Sequence, residues 1–194
     1  LVQDGMKLKL AGNHTLPRGP GAKGPGVADF SGSIDDFSIN RIGRYLPKQT
    51  PEHTRRWLAG ALEDGMLRET TLRLRGDLAH FPFKDGSPDK AKGEFRVAGR
   101  IVDGRLNYEP GYFAKDGKTP VWPLAEKIRG SIVFDRARME IKAETARTLG
   151  VALSNVKAVI PDLGTHDSML DIDGTAAGAM QDFMSPEYYQ RIAR

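Results

Sequence analysis

The chain has 194 residues, with Lys+Arg 29 against Asp+Glu 25, Gly 22, Pro 12 and no cysteine. That length buries a sizeable core, and the lack of cysteine excludes a disulfide framework and thiolate metal ligation. The net charge of +4 comes from mixed charges that read as a solvated outer face. No apolar run approaches the roughly 18–20 residues of a membrane-spanning helix.

The chain opens Leu1-Val2-Gln3-Asp4, without an initiator Met. It is expected to be a piece of a longer protein, with any targeting or anchoring segment elsewhere. Met6, Leu8 and Leu10 alternate with Lys7 and Lys9, which predicts a short strand over Gly5–Leu10. Gly12–Gly26, with Pro17, Pro20 and Pro25, reads as a connector. The expected organisation is therefore a strand and connector over 1–26, then one β segment over 27–194.

Val27–Ile39 predicts the next strand, with a bend or short hairpin at Ile34-Asp35-Asp36-Phe37. Thr50–Gly65 predicts a helix. Thr50 is placed to cap it, Pro51 suits the first turn, and Gly65 suits a left-handed C-terminal cap. Trp57, Leu58, Ala61 and Leu62 form its apolar stripe. Thr71–Phe83 alternates as a half-buried strand until Phe81-Pro82-Phe83 ends the ladder, since proline donates no N–H.

Lys84–Gly93 is a polar loop. Asp103-Gly104 is a hairpin signal between Glu94–Ile101 and Arg105–Tyr108. A second hairpin is expected about Asp135-Arg136-Ala137, joining Lys127–Asp135 to Arg138–Ala143. Val151–Ile160 and Ser168–Thr175 predict two further strands, and short helical turns are expected from Gly178 and from Ser185.

One device recurs along this series: apolar–x–Gly–x–apolar, at Phe30–Ile34, Leu74–Leu78, Val97–Ile101 and Ile128–Ile132, and more weakly at Ile172–Ala176. The fold class that follows is mainly β: a curved antiparallel sheet forming an open groove, with one helix near 51–64.

Catalytic and metal chemistry find little footing. His14, His53, His80 and His166 are isolated, with no H-x-x-x-H pair for zinc. No G-x-S-x-G elbow or phosphate-binding loop occurs. Asp171 and Asp173 share a strand face but read as outer polar residues, as do Arg73/Arg75 and Arg96/Arg100. Aromatics are not interleaved with Lys/Arg as an RNA-binding sheet requires, so nucleic acid is not an expected partner. No cofactor is expected and no enzyme is argued for.

What remains is the apolar face: Leu72, Leu74, Leu78, Phe95, Val97, Ile101, Leu106, Tyr108, Ile128, Ile132, Phe134, Met139 and Ile141. Too few helices are expected to cover so large a sheet. Part of this face is then an open apolar trough for acyl chains, or else all of it is an ordinary closed core. The two readings stay open on the residues alone.

Tyr45-Leu46-Pro47, Arg56-Trp57-Leu58 with Ala61-Leu62, Leu72–Phe83, Gly93–Val97, Leu106-Asn107-Tyr108, Trp122-Pro123-Leu124 and Gly130–Phe134 resemble, in that order, the YhdP-like proteins of the AsmA superfamily. The similarity runs from about Val27 to Gly174. The resemblance implies one internal periplasmic segment of an inner-membrane-anchored envelope protein. Such a protein conducts phospholipids between inner and outer membranes along an apolar β-groove. It implies phospholipid acyl chains and adjoining segments of the parent chain as partners, with membrane contact through the parent. An architectural or protein-interaction segment with a closed core is the alternative.

Overall fold

A computed structural model describes residues 2–3, 5–46, 48, 50–165 and 169–179. Among these, the strands are β1 (Val2–Gln3), β2 (Met6–Thr15), β3 (Val27–Asp35), β4 (Phe37–Ser38) and β5 (Leu62–Asp77). They continue as β6 (Gly93–Leu106), β7 (Ala125–Asp135), β8 (Arg138–Thr148), β9 (Val151–Ile160) and β10 (Asp171–Ala177), and one α-helix, α1, covers Glu52–Ala61. The strands form a single antiparallel sheet in the order β1-β2-β3-β5-β6-β7-β8-β9-β10, with β4 pairing β5 beside that path. The sheet is open, because β1 and β10 stand at opposite ends of it. The helical turns expected near the C-terminus fall almost wholly outside the described residues.

Register explains why the alternating sequence makes one continuous apolar surface. Leu10 pairs with Gly32, Gly32 with Leu72, Leu72 with Val97, Val97 with Phe134, Phe134 with Met139, and Met139 with Ile160. Partners across a ladder point to the same side, so this row crosses seven strands on one face. The parallel row Leu67–Ile101–Gly130–Ala143–Val156 is built the same way. The opposite face is charged and paired. Arg73 meets Asp29 and Glu94, both at 2.6 Å, while Arg96 meets Asp135 at 2.7 Å and Arg100 meets Glu144 at 3.2 Å.

The rows are kept in step by bulges. Glu69 in β5, Asp103 in β6, Lys127 in β7 and Asn155 in β9 all have positive φ. Each sits where the register with a neighbouring strand shifts. An extra residue bends its strand and increases the local twist, so the sheet coils. It also resets the face: Leu67 and Thr70 point inward three residues apart because Glu69 lies between them as the extra residue.

Several expectations change here, the helix start among them: Pro51, not Thr50, holds the N-cap position, with no side-chain cap hydrogen bond. Asp103-Gly104 is a bulge inside one uninterrupted β6, not a hairpin; Asp103 alone takes positive φ, and the chain runs on to pair with Ile128 and Ala125 of β7. The helix stops at Ala61 and passes directly into β5, so Gly65 is a strand residue rather than a helix cap. Gly65 has φ +122, and a Cβ there would lie 2.7 Å from the Gly104 Cα, so β5 and β6 touch backbone to backbone at that point. Finally, β2 runs on to Thr15 and pairs with β3 to Val27, beyond the expected end at Leu10.

The helix belongs to the connection 39–61 between β4 and β5, one of three long connections beside 78–92 and 107–124. A 3-10 turn at Ile39–Arg44 precedes it, with Gly43 close against Ala59. Its end is tied to β6 by the Asn107 N–H donating to the Ala61 carbonyl at 2.8 Å, and Trp57 Nε1 donates to the Tyr108 carbonyl at 2.9 Å. Its first turn is tied to the loop after β9, where the Thr54 hydroxyl donates to the Leu163 carbonyl. Such a short helix is marginal alone and takes its stability from this packing.

Candidate functional site

Two kinds of apolar surface result. On one part of the inner face, Leu58 and Ala61 of α1 join Ile101, Leu106, Ile128, Ile132, Met139 and Ile141 in one buried cluster, which runs through Met6, Phe37, Leu67 and Phe134 to the cavity wall. Beside it the face is open, and a cavity of about 360 Å³ lies between β2, β3, β5, β6 and α1. The sheet supplies Met6, Leu8 and Leu10 from β2, Ile34 from β3, and Leu67, Thr70, Leu72 and Leu74 from β5. Phe95 and Val97 come from β6 and Phe134 from β7. In a flat sheet, strands about 4.8 Å apart would put β2 roughly 19 Å from β7. That side chains of both border one cavity is the coiling just described.

The other wall is the inserted segment: Phe37, Ile42 and Leu46 lead into Pro51, Thr54 and Leu58. At the end of the cavity near the β7–β8 turn stand Phe81, Pro82, Arg136, Ala137 and Leu163. Leu163 is held there by its N–H to the Ala137 carbonyl at 2.7 Å, and its neighbour Asp162 accepts from Lys84 at 2.5 Å.

Polar groups in this lining are few and mostly committed within the protein. Thr54 is bonded to Leu163, and the Thr70 hydroxyl donates to the Arg68 carbonyl at 3.3 Å. Thr70 also lies over Gly99, where a Cβ would come within 2.3 Å of its Oγ1. Arg136 is the single charged side chain among the lining residues. Its Nη1 donates to the carbonyls of Phe83 and Gly93, both at 2.8 Å, and its Nε lies 3.7 Å from Asp85. Asp85 is held below the usual carboxylate range, first by its hydrogen bond from Lys90 and also by the Arg136 charge.

The structure sorts the thirteen apolar residues named from the sequence into three groups. Leu72, Leu74, Phe95, Val97 and Phe134 border the cavity. Ile101, Leu106, Ile128, Ile132, Met139 and Ile141 are buried in the cluster under α1. Leu78 lies in a 3-10 turn at Leu78–His80, past the end of β5. Tyr108 lies beyond β6, edge-on to Trp122 at 5.8 Å. The β2 residues were visible as an alternation but gave no sign of reaching this cavity. Leu163, in a polar loop, carried no periodic signal. Asp171 and Asp173 are exposed on β10, and among the described residues no group of three or more His, Cys, Asp or Glu could hold a metal ion.

The sequence model of a family described as YhdP protein matches residues 4–186. The chain belongs to that family. Among curated proteins, this YhdP-family chain is similar to the intermembrane phospholipid transporter YhdP of Escherichia coli strain K12, 25% identical over 142 residues. That match takes in 73% of this chain and 10% of the relative, so the chain spans about a tenth of the relative's length. No solved structure matches. Among the described residues, no helix is long and apolar enough to cross a membrane.

Proposed function

We propose that this chain is a non-catalytic, lipid-handling segment of a longer envelope protein. In it, phospholipid acyl chains lie along the apolar cavity while polar heads stay outside its apolar lining. The observation that carries the reading is the lining: aliphatic and aromatic side chains from six strands and a helix converge on one open space, with a single charge among them. Each methylene moved from water into such a space contributes about 0.8 kcal/mol. Affinity then follows chain length more than any polar contact, which suits passage along a groove.

The name of the E. coli relative supports the same reading, and the full proposal extends it. The parent would be anchored at the inner membrane, with this segment in the periplasm as one stretch of a groove conducting phospholipid between the two membranes. Adjoining segments of the parent would continue the sheet. A purely architectural segment is the second reading, and the buried cluster under α1 speaks for it.

The test is lipid extraction and mass spectrometry on the gently purified 194-residue chain, beside a Leu72→Asp, Val97→Asp variant shown by circular dichroism to remain folded. Both side chains border the cavity and neither is fully buried. Phospholipid carried by the parent and absent from the folded variant is the expected result. Retention of lipid by the variant would place the lipid elsewhere. A chain that takes up no lipid even from added vesicles would favour the architectural reading.

A further inference from the structure

The cavity is long, narrow and asymmetric, and those features point to what it holds. Along β5 its lining runs from Leu67 to Leu74, which at about 3.3 Å per residue is roughly 20 Å of strand. Its volume of about 360 Å³ lies near the lower end of small-ligand sites, roughly 300–1,000 Å³. A methylene is close in size to a water molecule, whose share of liquid is about 30 Å³. The space therefore takes roughly a dozen methylenes in a row, the greater part of one acyl chain, and has no room for two abreast.

The two ends differ. Around Met6, Phe37 and Leu67 the lining is uncharged, with Tyr45 edge-on to Phe37, while the end near the β7–β8 turn carries Arg136. This guanidinium is fixed in place: Nη1 is committed to two backbone carbonyls at 2.8 Å, and the side chain is only 16% exposed. Among the described residues Nη2 has no hydrogen-bond partner. A planar guanidinium with donors to spare is suited to a phosphate oxygen, and its hydrogen bond to an anion is stronger than one to a neutral head.

We infer that the cavity is a slot for one acyl chain, threaded with its phosphate-bearing end at Arg136 and its terminal methyl toward Phe37. The inference rests on the lipid-handling reading and adds stoichiometry, direction and a headgroup contact. The second chain of a diacyl phospholipid would lie outside the slot, along the open side bordered by Leu10, which is 49% exposed.

The experiment uses the 194-residue chain with dodecyl phosphate, dodecanol and inorganic phosphate, each below its aggregation limit, followed by calorimetry and native mass spectrometry. One equivalent of dodecyl phosphate, bound at least tenfold tighter than dodecanol, is the expected result. Equal affinities for dodecyl phosphate and dodecanol would overturn the headgroup contact and leave the lipid-handling reading standing. Two bound equivalents would overturn the single slot. Inorganic phosphate binding as tightly as dodecyl phosphate would mark a plain anion site and overturn the threading.

Binding by none of the three would remove the lipid-handling reading together with the inference. Arg136→Lys and Arg136→Met add a second readout. If the inference holds, the folded Lys variant keeps more of the preference for dodecyl phosphate than the folded Met variant, and both bind dodecanol as the parent does. An unchanged preference in a folded Met variant would overturn the role of Arg136.

Discussion

Val97 and Ile132 stand in successive copies of one repeat, on neighbouring strands and on the same face of the sheet, yet their surroundings differ. Ile132 is 1% exposed in the buried cluster, whereas Val97 is half-buried and borders open space. Nothing in either strand makes the difference. The strands specify a face; what lies over it differs along the sheet, and beside Val97 the helix and the turn before it only wall an open space. The repeated β device thus yields core or cavity according to what lies above it.

The largest effect that tests this contrast is a truncation in each region. Ile132→Ala should cost about 2–5 kcal/mol by chemical denaturation, because it leaves a void in packed core. Val97→Ala should cost less than about 1 kcal/mol, since its methyls already face a partly open space. Equal losses would mean that the two regions are packed alike and that the cavity is closed in solution.

Gly65→Ala comes next. The added methyl meets the Gly104 backbone at 2.7 Å and the residue would hold φ +122, so a loss of about 1–3 kcal/mol is expected. The same exchange at the exposed Gly86, with nothing within 4 Å of a new Cβ, separates crowding from φ strain.

Thr54→Val removes the donor that ties α1 to the loop after β9 and leaves the Leu163 carbonyl without it. About 1 kcal/mol of stability should go. Hydrogen exchange at the Leu163 amide, which donates to Ala137, should quicken before exchange anywhere in β7 or β8. Uniform quickening would show that the loop and the core open together.

The smallest effect is electrostatic and lies at the exposed Lys7, which alternates with the cavity-lining Met6 and Leu8 of β2. Lys7 donates to Asp36 at 2.8 Å; this holds the Asp36 carboxyl below its usual value and the Lys7 ammonium above its own. A depressed carboxyl contributes stability that is present above its unfolded value, about 3.9, and lost as pH falls through the lower folded value. The raised Lys7 contributes below its unfolded value, about 10.4, and loses that contribution as pH rises through its folded one. Asp36→Asn should flatten both limbs slightly in thermal melts, with 0.5 M salt mimicking part of the change. A variant as acid-sensitive as the parent would assign the acid limb to other carboxylates such as Glu140, which is also depressed, chiefly by its hydrogen bond from Arg138.

The architecture was legible in the sequence because alternation with period two is a direct record of two faces. Leu72, Val97 and Phe134 fell on one side by counting alone, and the Asp135–Ala137 turn stands where the repeat placed it. Helix and strand ends were less legible. Gly65 and Asp103-Gly104 carry the composition of caps and hairpins, but a coiled sheet uses the same residues for close strand crossings and bulges. The division between cavity and core was not legible in the strands, since Val97 and Ile132 carry the same alternation and differ only in what packs over them. Arg136 looked like a turn residue; only the fold shows its guanidinium at the cavity end.

The bulges have a consequence for how such a surface varies. A bend set by a positive-φ residue in β5, β6, β7 and β9 resides in the main chain, so the curvature it creates does not depend on which aliphatic residue fills a given row. Side chains of similar volume can trade places along the wall while the curvature of the sheet stays the same. Shape is thereby inherited separately from lining: drift at Leu72 or Val97 changes the surface of the cavity, whereas a change at Gly65 or Glu69 alters the course of the strands.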